Sequence, residues 1–256
     1  MTPLTANILQ PLIDVANGVL QFFHDSAGLS WGMSIIALTV VTRALLIPLT
    51  YKQLKGMRAL QALQPQIKEL QEKYKNDKQR MQQEMMRFYK ENKVNPLASC
   101  LPLLAQLPVF ITLFYVLKNE LPPDMGCPEA GHCAAYGAEF LFINDLTGKA
   151  TGGELITLLI LYVGTQLVSG MVMAVTADKS QRMMMFALPL IFVPFILSFP
   201  AGLILYWITT NFWTIGQQLV IKQIIPPPVT ATPAGAAAIQ EAKPPPPPPR
   251  KKKKRR

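Results

Sequence analysis

Apolar residues fall in long blocks along the chain, and polar insertions between them keep a helical rhythm. The first rhythmic stretch, Leu4 to Phe23, places Ile8, Leu12, Val15, Val19 and Phe22 at spacings of 4, 3, 4 and 3, one stripe of a helix. Asn7, Gln10, Asp14, Asn17 and Gln21 fill other positions. This predicts an amphipathic helix within 1–28, either lying on the outer membrane surface or packed on the rest of the protein. The run 29–50 is apolar over about the length needed to cross a bilayer, and Pro48 should kink or end it. Four more apolar blocks, 96–117, 154–176, 183–199 and 200–224, bring the expected spans to five. Pro102 and Pro108 interrupt the second, and Pro189 and Pro194 the fourth.

Between the first two spans the pattern changes. Leu54, Met57, Leu60, Leu63, Ile67, Leu70 and Tyr74 recur every three or four residues. After the polar break Lys75 to Lys78, the rhythm resumes at Met81, Met85 and Phe88. Segment 51–95 therefore reads as two antiparallel helices in a hairpin, bent at Pro65. Its seam is too narrow to bury much surface, so it should be mobile. Segment 118–153 reads as a loop, 177–182 as a short connection, and 225–256 as a disordered Pro-rich tail. In that tail Pro244 to Pro249 forms an extended polyproline spacer.

Charge gives this pattern a direction. The net charge is +10, yet only 16% of residues are charged, against about 25% for a soluble domain. Of 25 Lys and Arg, eleven lie from Lys52 to Lys93 and nine from Lys222 onward. Basic residues near membrane ends mark the cytoplasmic side. The hairpin, the 177–182 loop and the tail then share the cytoplasm, and 118–153 is extracytoplasmic. Five spans with the N-terminus outside and the C-terminus inside satisfy this placement. The first forty-two residues carry no Lys or Arg, so the start does not read as a signal peptide.

One charge sits inside a span. Holding Arg43 near the bilayer centre costs about 2.5–3.5 kcal/mol even on the gentlest scale, so it should face protein or a water-filled recess. The bland alternative is snorkelling to the inner interface. Thr39 lies one turn before it, and Gln106, Gln166, Asn211 and Gln217 lie in other spans. If these converge, they enclose a hydrated, positive groove in the inner half of the membrane. The alternatives are local: Thr42 bonding its own backbone, and Gln166 acting as interhelical glue. No Asp or Glu lies within a span core, so Arg43 has no built-in ionic mate. An unpaired cation suits an acidic or polar guest.

Enzymatic chemistry is poorly served. His24 and His132 both lie outside the span cores, and no HExxH occurs. Thr147-Gly148-Lys149 lacks the upstream glycine and following hydroxyl of a phosphate loop. No cofactor or metal is expected. Cys127 and Cys133 suit a disulfide in an oxidising exterior, and with His132 they are too few for a metal site. The terminal cluster Arg250, Lys251, Lys252, Lys253, Lys254, Arg255 and Arg256 suits either ribosomal RNA or anionic lipid.

Several stretches together resemble the YidC/Oxa/Alb family of membrane protein insertases, most closely its bacterial branch. They are Trp31 to Ile36 leading to Thr42-Arg43 and Pro48-Leu49-Thr50, then Leu63-Gln64-Pro65 and Lys78-Gln79-Arg80. Gln83 to Met86, Val94 to Leu97, Pro102-Leu103-Leu104, Gln106 and Pro108-Val109-Phe110 follow. Phe199 to Leu203 and Leu205-Tyr206-Trp207 complete the set, which covers most of Trp31 to Ile221. The resemblance implies an all-α polytopic protein of the bacterial cytoplasmic membrane with five transmembrane helices and a cytoplasmic hairpin. It implies that Arg43 receives polar or acidic parts of a client, with Thr39, Gln106, Tyr206, Trp207 and Asn211 lining or flanking the path. It assigns client recruitment to the hairpin, whose basic residues include Lys52, Lys55, Arg58, Lys73, Lys78 and Arg80. Nascent membrane proteins, the ribosome (through the tail), anionic lipids and the Sec translocon are the implied partners. The chain differs from the Gram-negative pattern, which adds a preceding span and a large periplasmic domain. Two rival readings stand beside this one: a solute transporter with Arg43 as an anion site, and a passive assembly scaffold. Internal repeats typical of transporters are not visible.

Overall fold

Ten α-helices form among the described residues, which are 3–95, 101–174 and 179–224 of a computed structural model. No named strand occurs among them; there are two isolated antiparallel bridges, Phe140 with Ile143 and Lys149 with Pro200. The tail cluster Arg250 to Arg256 and Cys100 lie outside the described residues, as does the start of the second expected span.

Helix α1 is Pro3–Gln21, extended by one wider turn over Phe22–Ser26. It packs on the bundle and also keeps an apolar outer face. Leu12, Val15 and Phe22, from the stripe picked out in the sequence, are exposed. A second stripe, Leu9, Ile13, Ala16 and Leu20, faces the bundle, with Ile13 and Leu20 buried. The second stripe makes this a packed helix, and the first stripe stays clear of the bundle. Its Asn17 side chain donates to Asp124 at 2.8 Å.

Helix α2, Trp31–Leu45, starts at Ser30, whose extended backbone and hydroxyl cap Met33 N–H. It breaks at Leu46, and the chain turns 57° into α3, Ile47–Ala62. Pro48 explains the break: it has no N–H to offer the Ala44 carbonyl, and its ring crowds the preceding turn. The bend therefore falls two residues ahead of the proline. Pro65 acts the same way. Instead of bending one long arm it separates α3 from α4, Gln64–Lys73. Helix α5, Lys78–Glu91, is capped by Asp77 and packs on α4. Ile67 is the buried residue of α4, and α5 buries none.

Helix α6, Leu101–Tyr115, runs through a wide turn into the short α7, Leu121–Asp124. Helices α8 (Gly152–Ala174), α9 (Lys179–Ile196) and α10 (Ala201–Ile224) follow. α10 is the hub, lying against α8 and α2, while α9 packs on α8. Among the described helices, α8 alone is long and apolar enough to cross a membrane; the bent pair Trp31–Leu45 and Ile47–Gly56 has the apolar length for it only when taken together, as a broken span or a re-entrant loop. α6 spans 15 residues, short for a crossing.

The dense core sits at one end of the bundle. Leu20, Ile35, Leu117, Leu121, Leu146, Leu158, Leu203 and Ile204 are essentially inaccessible, and most lie near the starts of α2, α8 and α10 or the end of α6. Two close backbone approaches build this end. Gly202 N–H donates to the Leu146 carbonyl at 2.9 Å, and Ala201 N–H to Gly148 at 2.7 Å, docking the 118–151 loop onto α10. The Phe140 ring lies against the Gly32 backbone, where any Cβ would collide with it. Gly32→Ala should therefore lower thermal stability by about 1–3 kcal/mol. Pairing it with Phe140→Ala should recover part of that loss in a detergent melting series.

Candidate functional site: a cavity at Arg43

The opposite half of the bundle is open. About 12 residues into α2, or roughly 18 Å along its axis, Arg43 borders a cavity of about 380 Å³. Four further helices add polar groups to its walls. α10 contributes Trp207, Thr210, Asn211, Thr214, Gln217 and Gln218, a 3–4 spaced stripe. α8 supplies Tyr162, Gln166 and Ser169. Beyond the bend, α3 adds Thr50, Gln53 and Leu54, while Gln106 comes from α6 and Pro189 and Phe192 from α9.

Hydrogen bonds tie the walls together. Asn211 Nδ2 donates to Thr165 Oγ1 at 3.1 Å, joining α10 to α8. Gln217 Nε2 donates to Thr50 Oγ1 at 2.7 Å, joining α10 to α3. Trp213 Nε1 donates to Gln217 Oε1 at 3.1 Å, which fixes the orientation of that amide. Trp207 is held by an aromatic cluster. It stacks on Phe110 with centroids 5.1 Å apart, and meets Phe199 edge-on at 5.9 Å.

Arg43 is half-buried and makes no ion pair among the described residues. The cavity also holds unmet polar groups. Gln53 is 3% exposed, yet neither its amide nitrogen nor its oxygen has a hydrogen-bond partner. The Thr210 and Tyr206 hydroxyls adjoin one another and reach no further partner among the described residues. Buried polar atoms left unpaired cost about 1–3 kcal/mol each, which a water or a polar guest would offset.

Of the residues expected at the path, Arg43, Gln106, Trp207 and Asn211 border the cavity, as do Gln166 and Gln217. Thr39 and Tyr206 do not; both are buried behind the wall, and Thr39 donates to the Ile35 carbonyl. Thr42 also bonds its own helix, to Leu38 and Thr39 carbonyls. Gln53, Ser169, Thr210, Thr214 and Gln218 were not singled out from the sequence. On α10 the 3–4 spacing of polar residues carried the signal. Gln53 had none, because the bend brings it to the cavity. Lys52, Lys55, Lys73, Lys78 and Arg80 are exposed along α3 to α5. Arg80 and Lys73 flank the Tyr74 ring at 5.5 and 5.6 Å. Cys127 and Cys133 form a disulfide in the 118–151 loop. No group of His, Cys, Asp and Glu among the described residues is arranged for a metal ion.

The profile of the 60Kd inner membrane protein family matches residues 22–228. The chain belongs to this family. Among its relatives, the membrane protein insertase YidC of Streptomyces avermitilis is 37% identical over 227 residues, covering 78% of this chain and 53% of that protein. The same-named protein of Mannheimia succiniciproducens is 41% identical over 214 residues, 84% of this chain and 36% of its own length. A crystal structure described as an active YidC insertase with its first transmembrane domain resolved superposes with a TM-score of 0.62. It is 28% identical and covers 81% of this chain and 45% of that one. The chain thus spans between about a third and about half of these relatives' lengths. Membership of the 60Kd inner membrane protein family supports a bacterial membrane location and an all-α membrane fold.

Proposed function

We propose that this chain inserts proteins into the membrane by offering its Arg43 cavity to a short hydrophilic segment of a nascent client. The observation that carries this reading is a guanidinium with no ion pair among the described residues, at a cavity that Gln53, Gln106, Gln166, Asn211 and Gln217 also line. The segment would pass partway into the inner half of the bilayer, shortening the dry distance left to cross. The adjoining apolar segment then leaves sideways into lipid, and burial of about 0.8 kcal/mol per CH₂ drives the step. No nucleotide takes part. The charge invites the guest without trapping it: at about 4 Å and an effective dielectric of about 20, attraction to a carboxylate is about 4 kcal/mol before desolvation.

The other assignments follow the same reading. Five spans cross the membrane with the N-terminus outside and the C-terminus in the cytoplasm. Segment 51–95, which holds most of α3 with α4 and α5, is the cytoplasmic hairpin that recruits clients, and the basic tail meets the ribosome or anionic lipid. The names of the relatives support nascent membrane proteins as clients, and the Sec translocon is a further proposed partner.

Purified protein in liposomes should insert a single-span client with an acidic exported tail, without nucleotide. Flux of small anions with no client inserted would favour a transporter instead. Gln53→Leu should slow insertion while leaving the empty protein as stable or up to about 1–3 kcal/mol more so, since it removes an unpaired buried amide. Melting and insertion assays on one preparation check both signs.

A further inference from the structure

The extracytoplasmic loop carries an apolar tip that the cavity does not use. Phe140 N–H donates to Ile143 O at 2.9 Å and Ile143 N–H donates back at 2.8 Å, so Leu141 and Phe142 form a two-residue turn. Leu141 sits at φ 55°, the left-handed region, whereas Phe142 does not. A turn with positive φ at its first central position ordinarily takes glycine. Here a leucine bears the backbone strain and is 84% exposed, and Phe142 beside it is also exposed. Two large apolar side chains on a strained, projecting turn gain nothing from water.

The turn is held rigidly and at a definite level. Leu146 N–H donates to Ala138 O at 3.0 Å, closing the base of the hairpin. Asp145 accepts from Cys133 N–H at 2.7 Å and from Thr147, fastening the base to the disulfide-linked segment. Phe140 rests on Gly32 in the first turn of α2, and Asn144 donates to Glu154 in the first turn of α8 at 2.8 Å. The tip therefore stands at the outer ends of two spans. Both spans also carry exposed apolar residues in their first turns, Met33 on α2 and Ile156 on α8. Between Lys118 and Lys149 the loop has no Lys or Arg, so charge attraction to headgroups plays no part.

We propose that the Leu141–Phe142 turn is a lipid anchor that dips into the outer leaflet and holds the disulfide-linked loop against the bilayer. The occupant is acyl chain, not a partner protein, because the tip is apolar and exposed and is fastened to the first turns of two membrane-spanning helices. The proposal rests on the membrane orientation given above.

The test uses nitroxide labels on the full chain in phosphatidylcholine–phosphatidylglycerol liposomes, in a Cys100→Ser background that keeps the disulfide. Labels are placed at Leu141→Cys, at Ile160→Cys on the exposed flank of α8, and at Glu129→Cys in the disulfide-linked segment. Collisions with oxygen and with a water-soluble nickel chelate report depth. The Ile160→Cys label should favour oxygen strongly and the Glu129→Cys label nickel. The Leu141→Cys label should favour oxygen, at about 5–10 Å below the phosphates. A Leu141→Cys label as nickel-accessible as that at Glu129→Cys, with the Ile160→Cys label in lipid, overturns the anchor and leaves the membrane orientation standing. Shielding of the Leu141→Cys label from both reagents means a contact with a second copy of the chain, and also overturns it. A water-exposed Ile160→Cys label removes the orientation and the anchor together.

Discussion

Replacing Arg43 with alanine should cut insertion of a client with an acidic exported tail about tenfold or more. The guanidinium is the cation at the cavity and makes no ion pair among the described residues. Its attraction to a guest carboxylate is about 4 kcal/mol before desolvation, and a third of that surviving corresponds to about tenfold. Arg43→Lys keeps the charge on a flexible stem and should retain most of the activity. Clients with neutral tails should lose much less on Arg43→Ala. Insertion rates for the two client classes, measured side by side in liposomes, check the effect. Equal losses in alanine and lysine variants would mean that the planar fork of the guanidinium, rather than its charge, does the recognition.

The largest stability effect is expected at Gly202. A Cβ there would stand 2.8 Å from the Leu146 carbonyl oxygen and within about 3.2 Å of the Leu117 side chain. The first neighbour is backbone and cannot rotate away. The same glycine donates its N–H to that carbonyl, so moving the strand of loop breaks a bond as well. Gly202→Val should cost about 3 kcal/mol or more, the upper end of overpacking, and lower the melting point by roughly 5–10 °C. Gly202→Ala should show a smaller drop. A thermal unfolding series in detergent reads both. Because the site is at the closed end of the bundle, surviving Gly202→Ala protein should insert clients normally at low temperature.

The sequence made the all-α membrane architecture legible because apolar blocks and basic segments are independent signals that agree. Arg43 was legible for a simpler reason: a charge inside an apolar run needs a polar setting. What lines that setting was only partly readable. Trp207, Asn211 and Gln217 belong to one stripe with Thr210, Thr214 and Gln218, but hydroxyls in an apolar helix bond their own backbone as readily as they line a cavity. Thr214 does both: its hydroxyl donates to Thr210 O, and it borders the cavity. Tyr206 and Thr39 show the limit of motif reasoning, since each lies beside a lining residue yet faces the packed side. Gln53 was out of reach. It lies ten residues past Arg43, which on a straight helix is about 280° around the axis. The 57° bend at Leu46 breaks that helical register between them, and a bend angle is not written in spacing. In α1 the periodicity was real but double, and only packing decides which of two apolar stripes meets the bundle.

The central claim is that a client's polar segment occupies the cavity beside Arg43. The most direct measurement places a photoreactive residue at Gln106, inside the cavity, and at Ile160, on the exposed flank of α8. Each variant is irradiated with a ribosome-stalled single-span client whose acidic tail has begun to cross. Adducts from position 106 to the tail, lost when Arg43 is alanine, and adducts from position 160 to lipid are the result expected if the claim holds. Adducts to the client at position 160 with none at 106 would contradict it.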